Sequence, residues 1–365
     1  MKNAVKTAFL LFLLLPFTAR TRAQEQPQEK DGTVSLKFEK GTRIAVDNST
    51  TGPIIIIGWD RDVIEATAMS DRGIEKVRIK TGFAFDSPVI SLTATYAERE
   101  RIEKFDEDPL AAPHKVLRDI GSLISRPFQN NARPGEIFFE VRVPNSAELE
   151  PIRVFRSDVV VTGVATNIAV LGEKSPIRLK NVGSAEVRTQ SGEVEIDGIS
   201  GLADVITTSG VIAVRNAGGD IRALSLSGRI DIDCARGRVD ASNTDARITI
   251  RGARSDVSAT TTYSLVQFIG PIRNDGRYYL KSMSGNVEME TPADSPGFTV
   301  SLSSYRGQVE TDFELKTTQQ PVNSPTGRRM IGRRGNGSAH ITLDSFDGSV
   351  RLKKRAPNAP ALPCN

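Results

Sequence analysis

Apolar residues recur in pairs, two apart, every nine residues from position 185 to position 268. The first members are Ala185, Val194, Ala203, Ile212, Ile221, Ile230, Val239, Ile248, Val257 and Val266. The second are Val187, Ile196, Val205, Val214, Ala223, Ile232, Ala241, Ile250, Ala259 and Phe268. Alternate residues of a strand share a face, so each pair predicts a short strand turning two small or β-branched side chains inward. Strands repeated at one spacing predict a solenoid.

The segments between the pairs repeat every eighteen residues, which makes the unit a rung of two strands and two different corners. One corner reads Thr-x-Ser-Gly at 189–192 and 207–210, Ser-x-Ser-Gly at 225–228, and Asn-Thr-Asp-Ala at 243–246. It places Gly192, Gly210 and Gly228 in one column. The other corner carries Gly201, Gly219 and Gly237, where a tight bend either needs a positive φ or leaves no room for a Cβ. Stacked hydroxyls in the first corner form ladders that bond the backbone of their own turns. Charges keep the same period: Asp197, Arg215, Asp233 and Arg251 fall one above another, about 4.8 Å apart. Opposite charges so placed attract, but exposed pairs contribute only about 0 to 1 kcal/mol each. The column is therefore read as setting register and solubility rather than as a polyanion- or sugar-binding stripe. The expected fold is an all-β parallel β-helix, a β-solenoid with about 18 residues per rung.

Around this array the chain divides as follows. Residues 1–23 carry Lys2 and Lys6, an apolar run over 8–17 and Thr21 and Ala23 at a cleavage site, the pattern of a signal peptide. The run is shorter than the roughly 20 apolar residues that span a bilayer, so the mature protein is not expected to be integral to the membrane. A polar linker follows over 24–32. An N-terminal β cap region occupies 33–150, with alternating strands, the turn Gly58-Trp59-Asp60-Arg61-Asp62 and Trp59 as a cap over the open end of the core. Within it, 98–134 is a charged insertion with a short helix at about 113–126. The solenoid runs over 151–353, with one residue missing from a corner ahead of Ala185. Within it a basic, mobile loop spans 317–337, and Ile341 and Leu343 return the chain to the last rung. Residues 354–365 form a tail.

Charge narrows the function. The 48 basic residues exceed the 44 acidic ones, but the signal peptide takes Lys2, Lys6, Arg20 and Arg22 and no acid, which levels the count. Nucleic acid is therefore not an expected partner. Arg328, Arg329, Arg333 and Arg334 remain as a local cluster, read as a solvated loop or as a binding loop for a polyanion or anionic lipid. Cys234 lies in a corner and Cys364 near the end; their spacing neither requires a disulfide nor makes a metal motif. On the eighteen-residue period Cys234 shares its turn with Gly198, Asn216 and Gly252. No cofactor or metal is expected: the Gly-Gly-x-Gly-x-Asp turns of calcium β-rolls are missing.

The Gly58-Trp59-Asp60-Arg61-Asp62 turn after an isoleucine run, the Val143-Pro144 strand end, the recurring Ser-Gly-x-Val/Ile-x-Val/Ile units and Asp347-Gly348-Ser349-Val350 together resemble a family of bacterial exported β-strand-repeat proteins. That family is a domain of unknown function whose members are regarded as candidate adhesins. The resemblance covers roughly residues 33–353 and implies a right-handed, single-stranded parallel β-helix in a periplasmic, cell-surface or secreted protein.

Parallel β-helices also house polysaccharide lyases and hydrolases. Glu195 and Asp231, two rungs apart, would stand about 9 to 10 Å from each other, loosely matching an inverting pair. Outward acids otherwise alternate with arginines or serines, as in Asp204, Arg222 and Asp240. His114 and His340 stand apart from any nucleophile pattern, so no catalytic residue is assigned. The expected function is a non-enzymatic, exported, adhesin-like surface or structural binding protein with a protein or glycan partner of the cell envelope. The alternative is an envelope scaffold or signalling partner that binds through 98–134 and 317–337.

Overall fold

The computed structural model describes residues 28–30, 32–73, 77–83, 88–96, 135–324, 327–362 and 364. Among them there are strands and no helix; the signal peptide and the helix expected at 113–126 lie outside the described residues. Two long sheets hold fifteen and twelve strands, and a small third sheet holds four. From Ile177–Val182 to Val266–Ile269 the chain alternates between the long sheets, and each strand pairs in parallel with the strand one coil away. Val194, Ile212, Ile230, Ile248 and Val266 are register partners along the first sheet. Ala185, Ala203, Ile221, Val239 and Val257 are partners along the second. The protein is a parallel β-solenoid, and both members of every apolar pair from 185 to 268 lie in one continuous buried core.

Departures from eighteen fall in the corners. Ile168 pairs with Ala185 and Ile177 with Val194, seventeen residues apart, so the shortened coil loses its residue between Leu179 and Ala185. Three residues are added after Phe268, since Val257 pairs with Tyr278 and Val266 with Val287. That bend is braced by the Arg273 N–H, which donates to the Tyr278 hydroxyl at 2.9 Å. An odd change inside a strand would turn its inward side chains to solvent; in a corner it leaves the core rows intact.

The ends depart from chain order. Ile54–Trp59 lies between Val159–Thr162 and Ile137–Pro144, parallel to both. Antiparallel Val63–Ser70, Thr33–Lys37 and Gln28–Lys30 then finish the first sheet. Part of the expected linker is thus a strand, and part of the expected cap is the stack itself. Trp59 is not a lid on the core. Its indole N–H donates to the Val63 carbonyl at 2.8 Å, and the guanidinium carbons of Arg61 and Arg142 stand 5.0 and 6.0 Å from its ring. The core at this end is filled by Ile54, Ile56, Ile64, Phe139 and Val141.

At the other end Phe298–Ser304 and Val309–Thr311 leave one place empty in the stack, and Ala339–Ser345 and Val350–Lys354 fill it. Tyr278, Ile341 and Val300 are successive partners in one sheet, and Val287, Val350 and Val309 in the other. Ile341 and Leu343 therefore belong to the penultimate rung, not the last. The expected mobile loop at 317–337 is instead a β-hairpin, Lys316–Ser324 with Gly327–Arg334, antiparallel on Phe298–Ser304. Lys316 and Pro321 fall on Lys316–Ser324, the outer strand of this sheet, where lysine and proline discourage pairing with another chain. The expected tail at 354–365 is tied back by a disulfide, Cys234–Cys364, which the spacing alone left open.

Asp158 sits between the N-terminal strands and the first rungs, its carbonyl accepting from the Ile54 N–H at 2.9 Å. Burial pushes its carboxyl above the ordinary 3.8; Arg178 opposes the shift and Glu136 adds to it. An acid raised on folding contributes stability below its unfolded value and loses it as pH climbs through the folded value. Asp158→Asn is expected to stabilise the protein at pH 7 by about 0.5 kcal/mol or less and to bring no gain at pH 3. Melting temperatures at both pH values check this, and a loss at pH 7 would contradict it.

Candidate functional site

One corner of the coil carries a column of left-handed turn residues: Asn181, Gly198, Asn216, Cys234 and Gly252, with φ of 52, 75, 55, 62 and 66°. Asn and Gly enter this region at low steric cost; Cys234 takes it as part of the disulfide. The bridge spans 130 residues of chain. It crosses Gly252, where a Cβ would stand 2.2 Å from the Cys364 sulfur. Beside this column a groove of about 470 Å³ opens over several rungs, lined by Asn181, Ser200, Asn216, Arg236, Arg254 and Cys364 above Val182, Ile199 and Ala235. Its backbone is satisfied from rung to rung. The N–H groups of Ser200, Gly218, Arg236 and Arg254 donate to the carbonyls of Val182, Ile199, Ala217 and Ala235 at 2.7–3.1 Å.

The opposite corner is the hydroxyl ladder. Thr207, Ser225, Ser282, Ser304 and Ser345 are buried and accept from the N–H of Gly210, Gly228, Gly285, Gly307 and Gly348 at 2.8–2.9 Å. The Ser345 and Ser304 hydroxyls also donate to the carbonyls of Gly285 and Gly348 on adjacent rungs, each at 2.8 Å. Added Cβ atoms at Gly210 and Gly228 would meet the carbonyl oxygens of Gly192 and Gly210 at 2.0 and 1.8 Å. Gly192 itself has a φ of 120°. At Gly219 and Gly237 the same crowding holds, an added Cβ meeting neighbouring backbone at 2.3 Å, while a Cβ at Gly201 would meet the Ser184 hydroxyl at 2.2 Å. None of these three has a positive φ, so they are glycine for want of space.

The residue after the ladder hydroxyl points outward. It is Met283, Phe346 and Tyr305 on three successive rungs, 54, 47 and 45% exposed, with Tyr263 at 62% on the rung before; Leu226, 56% exposed, is set apart from them by Thr244 and Thr262 at the same position. Tyr305 and Phe346 stack with ring centroids 4.7 Å apart. This apolar stripe was invisible to the nine-residue pattern, which tracks inward residues; the signal that marks it is the identity of the second corner residue.

Four acids of the coil are engaged, while Asp240 is exposed with no side-chain partner among the described residues. Glu195 is held by Arg215 and lies 3.8 Å from Arg178, and Asp231 is 2.6 Å from Arg229. Asp233 meets Arg251 at 2.6 Å, and Asp204 meets Arg188 at 2.9 Å; each arginine's own pKa is raised, first by its hydrogen bond to that carboxylate. Glu195 and Asp231 thus face guanidinium groups rather than each other across a cleft. Among the described residues no three His, Cys, Asp or Glu side chains could together hold a metal ion.

The other sequence-derived candidates are structural in their contacts. A Cβ at Gly58 would lie 2.0 Å from the Gly163 carbonyl oxygen, Asp60 accepts from Asn145 at 3.1 Å, and the Asp62 carbonyl accepts from the Phe38 N–H at 3.1 Å. The turn therefore ties the first hairpin to the coil. The arginine cluster splits by strand alternation. Arg328 donates to the Gly307 carbonyl at 3.0 Å, and Arg334 donates to the Ser295 and Ala293 carbonyls at 2.9 and 2.6 Å and lies over Phe313. Arg329 and Arg333 are exposed, and Arg333 donates to the Asn336 carbonyl.

Residues 139–353 match the family model described as Toastrack DUF4097. No curated protein matches the chain. Among solved structures, a candidate cell adhesion protein from Clostridium sporogenes is similar at 10% identity over 90% of this chain and 100% of its own, with a TM-score of 0.18. A candidate adhesin from Parabacteroides merdae is similar at 8% identity over 88% of this chain and 95% of its own, with a TM-score of 0.30.

Proposed function

The chain belongs to the Toastrack DUF4097 family, and from that premise we propose that it is an exported, non-enzymatic recognition protein making adhesin-like contact with a protein or glycan of the cell envelope. The observation that carries this reading is the apolar stripe of Tyr263, Met283, Phe346 and Tyr305. Large apolar side chains left half exposed in one line along a rigid edge mark an interaction surface. Export is supported by the Cys234–Cys364 bridge, since disulfides persist in oxidising compartments. A binding rather than catalytic role is supported by the engagement of Glu195 and Asp231 with arginines.

The test replaces Met283, Tyr305 and Phe346 together by serine. The buried ladder beneath them is untouched, so the variant should fold with nearly the parent melting temperature. Retention on an immobilised envelope preparation is expected to fall about tenfold or more, as when a few anchors carry most of the affinity. Unchanged retention, or turnover of an envelope glycan that depends on Glu195 or Asp231, would overturn the reading.

A further inference from the structure

Arg236 and Arg254 occupy the same corner position on successive rungs. Both side chains are exposed, and neither has an ion-pair partner among the described residues. Along one row of the first sheet the coil offsets its charges. Lys180, Asp197, Arg215, Asp233 and Arg251 alternate along one row of register partners. Where two acids do meet, Glu186 beside Asp204, Arg188 bridges them at 3.3 and 2.9 Å. Acids of neighbouring strands and corners take other donors: Asp197 accepts from Asn216 at 2.7 Å, Asp220 from the Arg238 N–H at 2.8 Å, and Asp256 from Arg273 at 3.0 Å. Two arginines whose backbones lie one rung, about 4.8 Å, apart thus stand at the mouth of a groove with no carboxylate in contact with either among the described residues.

We propose that this groove binds an acidic glycan, with Arg236 and Arg254 gripping the oxyanion carried by its sugars. The proposal rests on the recognition reading above and assigns it a second surface and a ligand class. Guanidinium forks match carboxylate and sulfate oxygens in bidentate geometry. The Asn181 amide and the Ser200 hydroxyl line the same wall and suit sugar hydroxyls. The volume of about 470 Å³ falls within the range of small-molecule sites. From Asn181 to Gly252 the turn column climbs four rungs, about 19 Å, which suits a short run of sugars better than a lone ion. A peptide adding itself as a strand would need free backbone groups. Here the corner N–H groups are already bonded to the rung below.

The experiment is calorimetric titration of the mature, disulfide-intact protein with four probes: oligogalacturonate, a heparin-derived oligosaccharide, neutral galactan and polyglutamate. At least one acidic oligosaccharide is expected to bind, more weakly as salt rises, with neutral galactan silent. Which of the two acidic probes binds distinguishes a carboxylate from a sulfate ligand. R236A/R254A should lose about tenfold or more in affinity, R236K/R254K less because the charge remains without the fork, and R222A, outside the groove, nothing. Matching melting curves for all variants establish that the arginines act on the ligand and not on the fold.

Binding of neither acidic oligosaccharide, equal binding of galactan, or full affinity in R236A/R254A would overturn the assignment. So would preference for polyglutamate, which would make the ligand an acidic peptide. Loss of envelope retention in the stripe variant alongside any of these results would leave the recognition reading standing and remove only the groove.

Discussion

Deleting the single residue Ile230 is expected to unfold the middle of the coil, whereas deleting the eighteen residues 211–228 should leave a folded, shorter protein. With Ile230 gone, either Ile232 keeps its inward place and Arg229 moves into the vacated one, or Arg229 holds its corner and Asp231 and Asp233 turn inward. Each outcome buries at least one charge in a row whose members are fully covered, and an unpaired buried charge costs several kcal/mol. The eighteen-residue deletion instead brings Val194 to Ile230, Ala203 to Val239 and Gly210 to the place of Gly228, each matching the partner it had. It leaves Cys234 and Cys364 with the same intervening chain. Circular dichroism melts and amide exchange across 194–250 decide the matter. A folded single deletion beside an unfolded rung deletion would mean that the rung is not the unit of stability.

Gly228→Ala is expected to cost roughly 2–4 kcal/mol, a large effect for one methyl group at a corner. The new Cβ would stand 1.8 Å from the Gly210 carbonyl oxygen and 2.7 Å from the Ser225 hydroxyl, and backbone cannot swing aside as a side chain can. Two corners of the coil already carry a Cβ at this position, Ser264 three residues after the Thr261 hydroxyl, and Ala246. At Ala246 the hydroxyl is replaced by Asn243, whose amide donates to the carbonyls of Gly228 and Ala246 at 3.1 and 2.7 Å. Adding Ser225→Asn to Gly228→Ala should therefore recover part of the loss. Denaturant titrations of the two single variants and the double variant close the cycle. A neutral Gly228→Ala would show that the corner yields, and a strictly additive double variant that Asn243 does not explain Ala246.

The repeating body was legible because its signals are local. Ile212 and Val214 report an inward face, and the Thr-Thr-Ser-Gly and Ser-Leu-Ser-Gly corners report bends within four residues of themselves. The ends were not legible, because Ile54–Trp59 lies between strands that follow it by some eighty and a hundred residues, and nothing in its run of isoleucines names those partners. The hairpin at Lys316–Ser324 and Gly327–Arg334 was hidden by composition: its Gly, Pro and Arg suggest a loop, although the Lys and Pro of Lys316–Ser324 also suit an outer strand. The groove was half visible. The period placed Cys234 with Gly198, Asn216 and Gly252, but pairing with Cys364 depends on the path of the tail. The neighbouring charges of Arg236 and Arg254 become conspicuous only once the alternation around them is seen in register.

That alternation has a consequence for how the chain keeps count. The inward rows, nearly all Ile, Val and Ala, are so alike from rung to rung that a coil which looped out one turn would bury much the same surface. The row of Lys180, Asp197, Arg215, Asp233 and Arg251 distinguishes such neighbours. Skipping one turn sets Asp197 against Asp233, or Arg215 against Arg251, while skipping two restores opposite signs. Each contact is worth only about 0 to 1 kcal/mol, yet a coil that skips one turn replaces an attraction by a repulsion at the join. The charges act as a parity check: they tell odd errors of winding from even ones where the hydrophobic core cannot.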